Sequence, residues 1–129
     1  MKIDHIAIWS TDIDLLKEFY AKYFNARSNN KYVNTDKGFE SYFLSFESGT
    51  RLEIMQMNSI LPRTGEVLEQ HIGLIHFAIS VGSETRVDEL SSSLKSDGFS
   101  ILDGPRRTGD GYYESVALDP DGNRIEITV

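Results

Sequence analysis

The chain has 129 residues, 40% of them hydrophobic and 26% charged, which suits one globular domain able to bury a real core. A formal net charge of −7 counts against nucleic acid or an anionic membrane as partner, because both call for a basic face. There is no cysteine, which excludes disulfides, thiolate metal sites and cysteine nucleophiles.

The N-terminus carries no signal-like apolar stretch. No apolar run approaches the roughly 18 residues of a membrane span, so a soluble cytoplasmic protein is expected. Residues 2–9 alternate, predicting a strand with Ile3, His5, Ala7 and Trp9 on one face and Asp4, Ile6 and Ile8 on the other. Ser10-Thr11-Asp12 supplies a helix N-cap. Ile13, Leu16, Phe19 or Tyr20, and Tyr23 then recur at helical spacing, so 12–24 reads as an amphipathic helix. The polar stretch 27–38 reads as a short edge strand and a loop. Phe39 to Glu47 reads as a strand rich in aromatics. Glu47-Ser48-Gly49-Thr50 is a turn signal, and 50–57 is the partner strand of a hairpin.

Residues 58–73 hold Pro62, Gly65 and Gly73 and read as a linker, with a short helical turn around Val67-Leu68-Glu69. The pattern then begins again. Residues 74–81 form a strand containing His76. Ser83 is placed as an N-cap, Val87, Leu90 and Leu94 make an apolar helical stripe, and Gly98 is placed to end that helix. Phe99 to Leu102 reads as a short strand and Gly104 to Gly111 as a loop. Tyr112 to Leu118 is a strand, Asp119-Pro120-Asp121-Gly122-Asn123 a turn, and 124–128 the closing strand. Each half therefore reads β-α-β-β-β, and the repeat predicts two copies of one unit. The domain is expected to span 1–129, with a first module at 1–58, a linker at 59–73 and a second module at 74–129.

Four polar residues recur at matching places. His5 and His76 lie in the first strand of each half, and Glu53 and Glu126 lie in the last, at nearly equal separations. Strand parity sets Glu53 with Arg51 and Met55, opposite Leu52 and Ile54. It sets Glu126 with Arg124 and Thr128, opposite Ile125 and Ile127. If the sheet curls, these four residues converge on its concave side. Two imidazoles and two carboxylates suit one borderline divalent metal such as Zn, Ni, Co, Mn or Fe. Open coordination positions would let that metal bind two neighbouring oxygens of a substrate, and a carboxylate beside it is a candidate general base. Taken singly, a strand His is more often a hydrogen-bonded structural residue and a strand Glu a solvated one. The joint repeat outweighs that reading. His71 has no counterpart in the first half and reads as solvent-facing.

With those motifs in view, the chain resembles the vicinal oxygen chelate superfamily. That group includes glyoxalase I, fosfomycin-resistance enzymes, extradiol dioxygenases, methylmalonyl-CoA epimerases and bleomycin-resistance proteins. The resemblance rests on Asp4-His5-Ile6-Ala7-Ile8, Ile75-His76-Phe77-Ala78 and the segment from Asp119 to Ile127. It implies an α+β fold of two βαβββ modules forming an incomplete barrel around a metal-binding cavity, often in a homodimer. The order His, Glu, His, Glu is similar to that of glyoxalase I, which implies His5, Glu53, His76 and Glu126 as ligands. It also implies Glu126 or Glu53 as the catalytic base, with Glu126 slightly favoured.

The sequence departs from bacterial glyoxalase I at two places. Trp9 stands where those enzymes usually carry an Arg, and Met57, next to Asn58, where they tend to carry an Asn. These departures count against a glutathione conjugate as substrate. An aromatic wall is expected instead, from Trp9 and Phe43 or Tyr42. Arg51, Arg106, Arg107, Tyr112 and Tyr113 are candidates to hold a polar or anionic group. Against this, Arg51 and Arg124 would pair with acidic neighbours and the tyrosines would be strand packing. The expected activity is a metal-dependent lyase or isomerase acting on a small molecule. The alternatives are an antibiotic-binding module or a fosfomycin-type thiol transferase.

Overall fold

The computed structural model describes residues 1–47 and 49–129; Ser48, within the expected turn, lies outside the described residues. The chain divides into two compact units, residues 1–64 and 65–129.

In the first unit, strand β1 (His5–Trp9) leads into helix α1 (Ile13–Phe24). Asp12 caps the helix by accepting from the Asp14 and Leu15 amides at 3.1 and 2.9 Å. The Ile13 amide is taken up by Gln56 Oε1 at 3.1 Å, which ties the start of α1 to the last strand of the unit. Both Phe19 and Tyr20 are buried, so the apolar stripe includes each of the two candidates, together with Ile13, Leu16, Tyr23 and Phe24. The polar stretch that follows holds two short strands rather than one, β2 (Arg27–Ser28) and β3 (Tyr32–Asn34). Both pair antiparallel with β4 (Phe39–Ser45), which forms the expected hairpin with β5 (Arg51–Met57). The sheet order is β1-β5-β4-β2, with β1 parallel to β5.

In the second unit the expected helical turn is a single reverse turn, closed by the Glu69 amide on the Glu66 carbonyl at 3.0 Å. Strand β6 (His76–Ser80) precedes helix α2 (Glu84–Ser96). Ser83 caps α2 by accepting from the Arg86 amide at 3.2 Å. Gly98, at φ 91°, ends it: Phe99 N–H reaches the Leu94 carbonyl and Gly98 N–H the Lys95 carbonyl, a Schellman pattern. Strands β7 (Ile101–Arg107), β8 (Tyr113–Leu118) and β9 (Arg124–Thr128) complete the sheet, in the order β6-β9-β8-β7 with β6 parallel to β9.

Strand β7 runs further than the sequence suggests. It continues through Gly104-Pro105, joined by a cis peptide, to Arg107, with two register shifts against β8. Those irregularities break the alternation that would have marked a strand. The turn before β9 is held by buried Asp119, whose carboxylate accepts from the amides of Asp121 and Asn123 and from the Asn123 side chain.

Each sheet lays one face against its helix. Leu52, Ile54, Ile125 and Ile127 are between 0 and 3% exposed, while Glu53 and Glu126 point to the other face. This is the division that parity predicts. The architecture is α+β, two βαβββ-like modules in which neither sheet closes on itself. Among the described residues, no helix is long and apolar enough to cross a membrane.

Candidate functional site

The parallel pairing within each unit brings a His strand beside a Glu strand. In the first unit His5 stands opposite Arg51 and Ala7 opposite Glu53. In the second His76 stands opposite Arg124 and Ala78 opposite Glu126. The two registers are the same residue for residue. In both units the His and Glu are diagonal neighbours on the face away from the helix.

The side chains meet. His5 Nε2 lies 3.7 Å from Glu53 Oε2, and His76 Nε2 lies 3.2 Å from Glu126 Oε2. A metal about 2.1 Å from each of two ligands holds them about 3.0 Å apart at a right angle and about 3.4 Å apart at the tetrahedral angle. The second pair falls inside that range and the first a little beyond it; imidazole and carboxylate are both donors that a divalent cation takes. Among the described residues, no three or more His, Asp or Glu side chains gather to hold a metal ion.

Two acidic residues that the sequence pattern passed over stand beside these pairs. Asp4 Oδ2 accepts from His5 Nδ1 at 3.0 Å and from Arg51 Nη2 at 2.5 Å. The hydrogen bonds from His5 and then Arg51 hold its carboxyl below the usual carboxylate range. Glu114 lies on β8 opposite Thr128, on the same face as Glu126. Burial, and then the charge of Glu126, push its carboxyl up. Parity sets Glu114 on one face of its strand, but its meeting with Glu126 depends on the hairpin register; Asp4 could not be found by parity, because its Cβ starts toward the opposite face from His5.

The other expected contacts are distributed unevenly. Trp9 is 40% exposed and meets Phe39 edge to face, with Tyr32 beyond it. Phe43 stands opposite Glu53, with its ring edge-on to His5 at 5.4 Å. Tyr42 turns the other way, buried, and donates to Asp14 at 2.7 Å. Arg51 is occupied by Asp4, and Arg124 donates to the Leu68 carbonyl at 2.8 Å. Arg106 pairs with Asp103 and lies 4.0 Å from Glu114. Arg107 and Tyr113 face helix α2: Arg107 pairs with Glu84 and Tyr113 donates to Asp88 at 2.8 Å. Tyr112 is exposed, and its backbone amide and carbonyl are bonded to Thr108. His71 is 74% exposed at its side chain, as the sequence reading has it.

The fold matches solved structures along its whole length. One is the trypanothione-dependent glyoxalase I of Leishmania major, at 21% identity and a TM-score of 0.77, covering 99% of this chain and 86% of that one. Another is a glyoxalase/bleomycin resistance protein/dioxygenase domain from Frankia, at 15% identity and 0.81, covering 100% and 97%. A glyoxalase family protein of Enterococcus faecalis, at 22% identity and 0.77, covers 99% and 97%. At such identities the likeness is one of fold. No curated protein is significantly similar. The chain belongs to the Glyoxalase/Bleomycin resistance protein/Dioxygenase superfamily, whose sequence profile matches residues 2–127.

Proposed function

We propose that the protein is a metal-dependent lyase or isomerase of the glyoxalase I type, moving a proton between adjacent carbons of a small molecule with vicinal oxygens. A thiol adduct of a 2-oxoaldehyde fits that description. The observation that carries the proposal is the recurrence of an imidazole–carboxylate pair at the same register in both units, His5 with Glu53 and His76 with Glu126.

In this reading His5, Glu53, His76 and Glu126 hold one divalent ion, Zn or Ni in first place and Co, Mn or Fe otherwise. When bound, such an ion supplies Lewis-acid stabilisation of negative charge on substrate oxygen. Glu126 or Glu53 takes the proton from one carbon and returns it to the next, a role that requires the carboxylate to reach the reacting carbon. Trp9 and Phe43 line the open face of the first unit and would contact the substrate body. Arg51 is taken to steady the site, whereas Arg107 and Tyr113, the expected margin contacts, face helix α2 and are left out of it. The proposed setting is a cytoplasmic homodimer with a small-molecule substrate and neither nucleic acid nor membrane as partner, in keeping with the charge of −7. A single domain over 1–129, with modules 1–58 and 74–129 joined by 59–73, belongs to the same proposal.

The test is elemental analysis of protein purified without added metal, beside a His5→Ala/His76→Ala variant. It is followed by assays on 2-oxoaldehyde adducts of several thiols. About one divalent ion per chain, lost in the variant, and turnover lost in Glu53→Gln and Glu126→Gln support the reading. Full activity in both folded, metal-loaded Gln variants sinks it.

The grouping of Trp9, Phe39 and Tyr32 favours a second reading, a module that binds an aromatic small molecule without turning it over. Tight binding by metal-stripped protein, with no turnover, would select it.

A further inference from the structure

We propose that Asp4 is a positioning residue that sets the tautomer of His5, with Arg51 holding Asp4 in place, so that the two imidazole–carboxylate pairs are preset to different degrees. The inference rests on the reading of His5 as a metal ligand only for its effect on affinity; the tautomer itself is a property of the metal-free protein.

An ionised carboxylate accepts hydrogen bonds and donates none. Asp4 Oδ2 lies 3.0 Å from His5 Nδ1 and 2.5 Å from Arg51 Nη2, and the guanidinium keeps it ionised. Nδ1 therefore carries the proton, and in the neutral ring the lone pair sits on Nε2. Nε2 is the nitrogen that faces Glu53, at 3.7 Å. Two acceptors facing each other across that gap leave room for a cation between them. This is the arrangement in which an outer carboxylate orients a ligating imidazole and raises its basicity.

Other residues hold the ring in place. Arg51 stands opposite His5 in the β1–β5 ladder, so its side chain is delivered to Asp4 by register. Its guanidinium also lies over the Phe43 ring, 4.5 Å from the centroid. Phe43 in turn meets His5 edge-on at 5.4 Å. Asp4, His5, Phe43 and Arg51 thus close a ring of contacts around the imidazole.

The second unit has the same ladder without this ring. Ile75 stands at the place of Asp4, and Val116, opposite Glu126, at the place of Phe43. Arg124, opposite His76, spends its guanidinium on the Leu68 carbonyl. Position 75 therefore offers His76 no carboxylate, and its tautomer is not set as that of His5 is.

The test is imidazole ¹⁵N–¹H correlation spectroscopy of metal-free protein at about pH 8, where an ordinary histidine is neutral, with exposed His71 as the internal reference. His5 is expected as the Nδ1–H tautomer in the wild type, and to move toward the His71 pattern in Asp4→Ala and in Arg51→Met. Because Asp4 is exposed, both variants are expected to keep the dispersion of a folded protein, which the same spectra report. Zinc titration of apo-protein is expected to show affinity falling about 10- to 100-fold in Asp4→Ala, and by less than about twofold in Ile75→Ala, which removes no carboxylate. A His5 tautomer like that of His71 in the wild type, or one unmoved by Asp4→Ala, overturns the proposal. If the tautomer answers to Asp4 but the wild type takes up no zinc, the positioning stands and the metal reading falls.

Discussion

Glu114 and Glu126 are carboxylates on one face of the second sheet, set there by adjacent antiparallel strands. Val116 stands opposite Glu126 and Glu114 opposite Thr128, so the two acids are diagonal neighbours. Burial and the neighbouring charge raise the folded-state value of Glu114. Its neutral form is then favoured by folding, so any stability tied to it is present below the unfolded value of about 4.3 and lost as pH rises through the folded one. Metal-free Glu114→Gln is expected to be more stable than wild type at pH 7, with the gain vanishing near pH 4. Urea midpoints across that range decide it; a gain independent of pH would contradict the argument.

Asp14 works in the opposite sense. Lys31 and Tyr42 donate to its carboxylate at 2.6 and 2.7 Å and hold it below the ordinary value. The charged form is favoured by folding, so the contribution is complete above an unfolded value of about 3.9 and fades as pH falls through the lower folded value. Asp14→Asn should therefore be less stable than wild type at pH 7, with the gap closing below about pH 4. Thermal midpoints of both proteins between these limits test this, and a constant gap refutes it.

Ser91 and Ser115 share a buried hydrogen bond of 2.6 Å between α2 and β8. Ser91 already donates to the Val87 carbonyl at 2.7 Å, so the Ser115 hydroxyl is the donor between the two. Ser115→Ala removes a donor and leaves Ser91 bonded, a loss of about 1 kcal/mol. Ser91→Ala strands the buried Ser115 hydroxyl and is expected to lose more, about 1–3 kcal/mol. Equal losses in denaturant titrations would show that the donor assignment is wrong.

Gly104 has φ 75°, and a Cβ there would come within 2.5 Å of the Glu114 carbonyl oxygen and 2.9 Å of Ser115 Cα. Both obstacles are backbone. Gly104→Ala is expected to lose at least about 1–2 kcal/mol, the penalty of the left-handed conformation alone, and to disturb β7 against β8. Hydrogen exchange should quicken at the β8 amides; unchanged protection there would show that the strands can give way.

How much was legible in advance depended on the range of the signal. The period of the apolar residues is local, so α1, α2, β4, β5, β8 and β9 could be read directly, as could Ser83 and Gly98 at the ends of α2. Parity told Leu52 and Ile54 from Glu53 for the same reason. Where a local irregularity interrupts the period, as Gly104-Pro105 does in β7, the sequence pattern ends before the strand does. The polar stretch before β4 has no period, and its two short strands form only because β4 is there to pair with them.

By itself the sequence determined the repeated modules, the two faces of each strand, and the candidate residues His5, Glu53, His76 and Glu126. Only the tertiary structure decided that β1 lies parallel to β5 and β6 parallel to β9, which sets each imidazole against a carboxylate. It also decided that Asp4 and Arg51 attend His5, that Glu114 joins Glu126, and that Arg107 and Tyr113 turn to the helix. Alternation is a property of one strand and is written into neighbouring residues. Which strand becomes its neighbour, and in what register, depends on the burial and hydrogen bonding of a whole sheet, whose terms come from residues far apart in the chain.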